Sequence, residues 1–378
     1  MNILCLNKIS KVGLANLTKD SNIVEDINDA DAILVRSANM LEMSLPSRIK
    51  CVARAGAGVN NIPLERYAKE GIVVFNTPGA NANAVKELTI AAMLLAARDI
   101  KASMKWVDDN KDDELINKSM EKAKSSFAGN ELFGKTLGII GLGAIGALVA
   151  NAAGYLGMHV IASEPSDATI ERNSHLLPKN FERVSYDELY SRSDYISLHV
   201  PLLEATRGMI NEVAFSKMKK GVNIINCARD AIVNDDDLSK AIDEGVVHRY
   251  VTDFPNHKTA NMKNVIAISH LGASTEEAED NCAVMAVNQT NDYIYNGNII
   301  NSVNFPRIDL GRKEDIRLLV LYVGDKAEEI MSIVSKHTTV KKMTSGVKGS
   351  FGASLFEIDN EFDLSSLNNL VIKSRLIK

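Results

Sequence analysis

The sequence predicts an α/β protein of two mostly parallel sheets followed by a small βαββαβ unit, and three observations carry this. Short apolar runs alternate with helical stretches from the first residues to Pro306, the order of strands and crossover helices in a parallel sheet. The apolar run 137–140 passes into Gly141, Gly143 and Gly146 ahead of an Ala-rich helix, the GxGxxG spacing of a Rossmann-type dinucleotide site. After Arg312 the pattern changes. Apolar runs at 316–322, 339–343, 352–358 and 372–377, with helical stretches at 326–335 and 364–370, give the order of a ferredoxin-like unit, whose role is oligomerisation or ligand sensing.

At 378 residues the chain should hold two or three domains. Its composition, 46% hydrophobic and 24% charged, is that of a globular protein rather than a disordered or membrane one. A formal charge of −5 leaves no basic footprint, so nucleic acid is not an expected partner and an anionic substrate must be held by local arginines. No apolar run approaches a membrane span, and Met1-Asn2-Ile3-Leu4-Cys5-Leu6 begins as a strand rather than a charged leader. The four cysteines, Cys5, Cys51, Cys227 and Cys282, are far apart without a CxxC spacing. We therefore expect no metal site and no disulfide framework, and reduced thiols fit a cytoplasmic protein.

In chain order, the first strands are expected at 3–6, 32–35, 51–53 and 72–75. Two of these runs end in Arg36 and Arg54, which are either solvated strand-end charges or ligands of an anion, since open α/β sheets bind beyond the strand C-termini. The loop 55–60 is glycine-rich. The loop 76–83 precedes a helix over about 84–98, with Asn81 and Asn83 as candidate caps. Residues 99–130 are polar and helical and should cross between domains. The second sheet should then use strands at 137–140, 159–163, near Val184, 195–200, 222–227, 250–253 and 265–269. A helix over 275–296 should recross, and 301–306 should supply a last short strand.

The glycines have separate jobs. Gly141 permits the tight turn, Gly143 lets backbone approach a pyrophosphate, and Gly146 lets helix and strand pack closely. The helix N-terminus, starting with Ala144 and Ile145, offers free N–H groups and a positive dipole end to phosphates. Glu164, at the end of the next strand, is placed to bond a ribose 2′-hydroxyl, which predicts NAD rather than NADP. Three further polar residues, Arg229, Asp253 and His270, follow strands of the same sheet. Hydride transfer from a 2-hydroxy acid needs a base for the hydroxyl proton and a cation for the carboxylate. His270 suits the first role by its ordinary pKa and Arg229 the second by its planar fork.

At these residues the sequence resembles the D-isomer-specific 2-hydroxyacid dehydrogenases. The matching pieces include Val35-Arg36-Ser37, 53–59, Asn76-Thr77-Pro78, 134–146, His199-Val200-Pro201, Asn226-Cys227-Ala228-Arg229 and 270–275. The resemblance implies a discontinuous flavodoxin-like substrate domain over 1–98 and 280–306, a Rossmann NAD-binding domain over 99–279, and an ACT-like domain over 315–378. It implies Arg229 and His270 as catalytic residues, with Arg36, Arg54, Asn76 and Gly79 at the substrate, a small phosphorylated 2-hydroxy acid. It also implies Gly141, Gly143, Ala144, Ile145, Gly146, Glu164, Pro201, Thr206 and Asp253 in the NAD site. Cys227 would lie beside the nicotinamide or serve as a small core filler. A homodimer or homotetramer is the implied assembly. The alternatives are a hydroxypyruvate or glyoxylate reductase, or an NAD-binding regulatory protein without turnover.

The chain departs from the family at several points. Asp230 stands where the family has Gly, and Ser269 where it has Pro. The family's catalytic Glu falls on His257 or Asn256, and the ACT ligand-binding turn reads Val323-Gly324-Asp325-Lys326 without its Asn.

Overall fold

The computed structural model describes all 378 residues. They form two compact units, 1–81 with 276–378, and 82–275. No helix is long and apolar enough to cross a membrane.

The first unit begins with a parallel sheet of β1 (Asn2–Cys5), β2 (Asn22–Val24), β3 (Ala32–Val35), β4 (Cys51–Arg54) and β5 (Val73–Phe75), in the order β2-β1-β3-β4-β5. Strand β2 escapes an apolar-run reading because it is an edge strand with no buried side chain. The helix Glu276–Asn296 packs Cys282, Ala283, Ala286 and Val287 into the core with Ala53 and Phe75. It lies so close to the helix Lys11–Leu14 that a Cβ on Gly13 would stand 2.4 Å from the Ala283 Cβ. The strand expected at 301–306 reduces to isolated bridges, Phe75 with Ser302 and Ile299 with Ile308. The buried Asn304 side chain replaces it, accepting from Val74 N and donating to Ile72 O.

A second sheet in this unit holds β13 (Ile316–Val323), β14 (Val340–Lys348), β15 (Phe351–Ile358) and β16 (Lys373–Ile377), antiparallel in the order β14-β15-β13-β16. One face is covered by the helix Ala327–His337 through Ile330 and Val334. The other places Leu319, Leu321, Leu355 and Ile377 in the same core as Tyr293, Ile299 and Phe305. The segment 315–378 groups with 1–81 in the first unit, while Leu318, Val320, Ile330, Val334 and Phe356 form a core within the segment itself. The helix expected at 364–370 is only a 3-10 turn, Leu364–Leu367, which the Asp363 carboxylate caps by accepting from Ser365 N at 3.0 Å.

The second unit is built on β6 (Thr136–Ile140), β7 (His159–Ser163), β8 (Glu182–Arg183), β9 (Tyr195–Leu198), β10 (Val222–Asn226), β11 (Val247–Thr252) and β12 (Val265–Ala267), all parallel. The order β12-β11-β10-β9-β6-β7-β8 reverses direction between β6 and β9. A crevice for ligand opens at such a switch point, beyond the strand C-termini. The helix Ala82–Ala97 belongs here, its Ala92, Met93 and Ala96 packing with Val149, Ala150 and Val251. The division thus falls at 81/82 and 275/276, not at the expected 98/99 and 279/280. Asn83 is inside that helix, donating to Glu87, rather than capping it. In 99–130 the helices Ile100–Asp109 and Ile116–Ala123 bury no residue.

Candidate active site

The glycine loop after β6 has the geometry its three positions demand. Gly141 has φ +92°, and a Cβ there would stand 2.8 Å from His199 O. A Cβ on Gly146 would stand 2.0 Å from Gly141 O, so close approach requires glycine. Gly143 is different, because a Cβ on it would meet nothing within 4 Å. It is also the N-cap of the helix Ala144–Tyr155 and supplies no side chain to it. Its open face is where an anion can approach the free N–H groups of Ala144, Ile145 and Gly146. Glu164, just past β7, accepts from Leu142 N at 2.9 Å and Ser166 N at 2.9 Å. A cavity of about 830 Å³ is lined by Gly141, Gly143, Glu164, Pro201 and Thr206. The Thr206 hydroxyl donates to Pro201 O at 2.6 Å and accepts from Leu203 N, which holds that wall as a turn. Open space at Gly143, the uncapped helix end and the carboxylate beside the loop fit a dinucleotide.

His199, on the same wall, was not among the expected site residues. Its Nε2 lies 2.8 Å from Ser197 Oγ, and burial pushes its pKa down from 6.5 to about 4. Because the folded-state value is depressed, the unfolded chain takes up the proton first as pH falls. Stability from this neutral imidazole is full above pH 6.5 and is lost on acidification toward pH 4. The loss should reach no more than about 3 kcal/mol, since the ring is only partly shielded by the cavity wall. Thermal melts across this window should show the decline, and His199→Gln should flatten it.

The second cluster of the unit lies beyond β10, β11 and β12. Buried Asn226 ends β10 and wraps the backbone of Arg229. Its Oδ1 accepts from Ala228 N and Arg229 N at 3.1 and 3.3 Å, and its Nδ2 donates to Arg229 O at 2.8 Å and the Tyr250 hydroxyl at 2.9 Å. The Arg229 guanidinium donates to Ala228 O and lies 5.1 Å from the centre of the Phe254 ring. Burial lowers its pKa, and Asp230 opposes that. Asp253 is 1% exposed. Its two oxygens accept from Leu271 N at 2.6 Å and Gly272 N at 2.8 Å. Burial raises its pKa against the pull of these amides. Both oxygens are thus engaged by the turn that carries His270.

His270 has φ +56°, a conformation uncommon outside glycine and typical of functional strain. Its ring packs on Phe254 at 4.4 Å between centroids. Asn256 caps the helix His257–Ala260 and donates to Asp235, so it is used locally. Cys227 is buried, and its thiol is pushed up to about 12, mainly by burial. Phe254 was missed from sequence, and Asn226, although inside the matching piece 226–229, was given no role there.

In the first unit the expected substrate residues cluster beyond β3, β4 and β5. The guanidinium of Arg36 pairs with Glu279 at 2.6 Å, and Arg54 Nε donates to Arg36 O at 3.0 Å. Asn7 Oδ1 gathers the amides of Arg36, Ser37 and Ala38 at 3.0 Å each. Asn76 donates to Ala57 O at 2.6 Å, and its carbonyl accepts from Gln289. Gly79 has φ +82°.

A switch-point crevice with a glycine loop at a helix N-terminus defines a nucleotide-linked α/β protein of the Rossmann class. Comparison with known proteins gives the family. Residues 90–272 match the D-isomer specific 2-hydroxyacid dehydrogenase, NAD binding domain. The chain is 37% identical over 289 residues to the hydroxypyruvate reductase of Thermotoga maritima, covering 73% of this chain and 89% of that protein. It belongs to the D-isomer specific 2-hydroxyacid dehydrogenase family, and its cofactor is NAD. It is also 31% identical over 348 residues to the D-3-phosphoglycerate dehydrogenase of Methanocaldococcus jannaschii, covering 87% of this chain and 63% of that protein. The chain thus spans less than two thirds of that relative, and 55% of the Synechocystis D-3-phosphoglycerate dehydrogenase. The NAD+-bound 3-phosphoglycerate dehydrogenase of Entamoeba histolytica superposes with a TM-score of 0.63 at 27% identity, over 80% of this chain and 98% of that one.

Proposed function

We propose that the chain catalyses NAD-dependent oxidation of D-3-phosphoglycerate to 3-phosphohydroxypyruvate, the entry to phosphorylated serine synthesis. The observation that carries this is the grouping of Arg229 and His270 around the Phe254 ring, beyond the strands of the NAD-binding sheet. His270 takes the C2 hydroxyl proton, and Arg229 holds the carboxylate and polarises the developing keto oxygen. The bound nicotinamide supplies the acceptor for the hydride leaving C2. Gly141, Gly143, Ala144, Ile145 and Gly146 hold the pyrophosphate. Glu164 faces the ribose and repels a 2′-phosphate, while Pro201 and Thr206 line the same cavity. Arg54 and Arg36, with Asn76 and Gly79, are assigned to the substrate and its phosphate.

A reductase acting on hydroxypyruvate or glyoxylate is the second reading. It is favoured by one observation, the Arg36–Glu279 pair, which partly neutralises the phosphate site. NADH formation by purified protein given NAD and 3-phosphoglycerate, against NADH consumption with hydroxypyruvate, tests the two. No turnover with either would favour a regulatory NAD-binding protein. We assign the C-terminal sheet an assembly role in a homodimer or homotetramer. Val323 and Val347, exposed apolar side chains on β13 and β14, lie on that sheet.

Arg54→Ala bears on substrate choice. A charge-assisted contact is worth about 1.5–3 kcal/mol, so its loss should raise KM for 3-phosphoglycerate roughly 10- to 100-fold. KM for an unphosphorylated 2-hydroxy acid should change far less. Equal changes for both substrates would remove the phosphate role.

A further inference from the structure

The proposed acid–base residue has an unusual support. His270 is exposed and sits at the left-handed φ of +56°. The carboxylate of Asp253 fixes the turn beneath it by taking the amides of Leu271 and Gly272. That settles the backbone but leaves the imidazole free to rotate about its side-chain torsions. The next residue, Phe254, supplies what Asp253 does not. Its ring stands 4.4 Å from the His270 ring, tilted at 45°, while the Arg229 guanidinium lies 5.1 Å from the centre of the same ring.

Phe254 is itself stiff. It precedes Pro255, which confines it to extended backbone, and its amide donates to the Thr252 hydroxyl at 3.0 Å. One aromatic ring on a restrained backbone thus contacts both of the groups that must meet the substrate.

We infer that Phe254 is the positioning residue of this site, its ring setting the orientation of the His270 imidazole and the Arg229 guanidinium together. This rests on the proposed dehydrogenase reading. The position that carries a carboxylate in the family is occupied here by Asn256, committed to a helix cap, or by His257. The tilted Phe254 ring restrains the imidazole by contact alone, without adding charge. It also couples the two groups, since a displaced ring misplaces the acid–base residue and the carboxylate-binding cation at once.

The test compares Phe254→Leu, which keeps apolar bulk but removes the ring, with Phe254→Tyr, which keeps it. Phe254→Leu should lower kcat roughly tenfold or more, as misplacement of reacting groups does, with KM for NAD held within about twofold. Phe254→Tyr should retain most of kcat. The second readout needs no turnover. Selective histidine labelling gives imidazole resonances, and that of His270 is assigned by its disappearance in His270→Asn. In the unaltered protein and in Phe254→Tyr it should be displaced by the ring current. In Phe254→Leu it should move to the position of a free imidazole. Unchanged kcat in Phe254→Leu, or an unmoved resonance, overturns the inference. If the unaltered protein turns over no 2-hydroxy acid, the dehydrogenase reading fails, and the resonance alone still decides whether Phe254 holds the imidazole.

Discussion

His270→Asn is expected to lower kcat by about 10²- to 10⁴-fold, the range of a positioned acid–base group. Asn is the informative replacement because it tolerates a positive φ where most residues do not, and His270 has φ +56°. The turn 270–272, bound to Asp253 through Leu271 N and Gly272 N, should therefore survive. NAD affinity, measured by calorimetry, should remain within about twofold, because the phosphate cradle is built from the glycine loop and a helix N-terminus. His270→Val offers a contrast. A β-branched residue at this φ adds backbone strain of about 1–3 kcal/mol, so it should lose stability as well as turnover. A kcat within tenfold of the unaltered protein in His270→Asn would remove His270 from the chemistry.

Arg317→Met should cause the largest loss of stability, about 3–5 kcal/mol in denaturant unfolding, as expected for breaking a buried ion pair. Arg317 and Glu357 pair at 2.9 Å with side chains 0% and 1% exposed. The same guanidinium donates to the carbonyls of Asn296, Gly311, Leu310 and Arg312 at 2.8 to 3.1 Å. It thereby ties the end of the helix Glu276–Asn296 and the segment 310–312 to β13 and β15. Methionine fills part of the volume but strands a carboxylate and four carbonyls away from water. Lys342, 3.3 Å from Glu357, reaches it from the exposed side and can offset only part of this. The double variant Arg317→Met with Glu357→Leu should recover a measurable fraction, because removing both charges removes the stranded one. A loss under about 1 kcal/mol in the single variant would show that water reaches the site.

Local pattern in the sequence determined the two parallel sheets, the switch into the C-terminal antiparallel unit, the glycine loop and Glu164 after the next strand. Each is set by periodicity or by a residue type that the backbone geometry demands, as with the positive φ of Gly141 and the contact at Gly146. The residue types and strand-end positions of Arg229, Asp253 and His270 were legible for the same reason.

Long-range packing decided the rest. Strand β2 shows no apolar run because an edge strand needs no buried side chain. The helix Ala82–Ala97 reads identically whichever sheet it covers, and only its contacts with Val149, Ala150 and Val251 assign it to the second unit. The C-terminal sheet looks independent along the chain, yet Leu355 and Ile377 share a core with Phe305. Phe254, unremarkable beside Pro255 in sequence, is brought against both Arg229 and His270 by parallel pairing of β10, β11 and β12. Contacts between residues distant in sequence leave no periodic trace, which is why the tertiary structure was needed to find that ring.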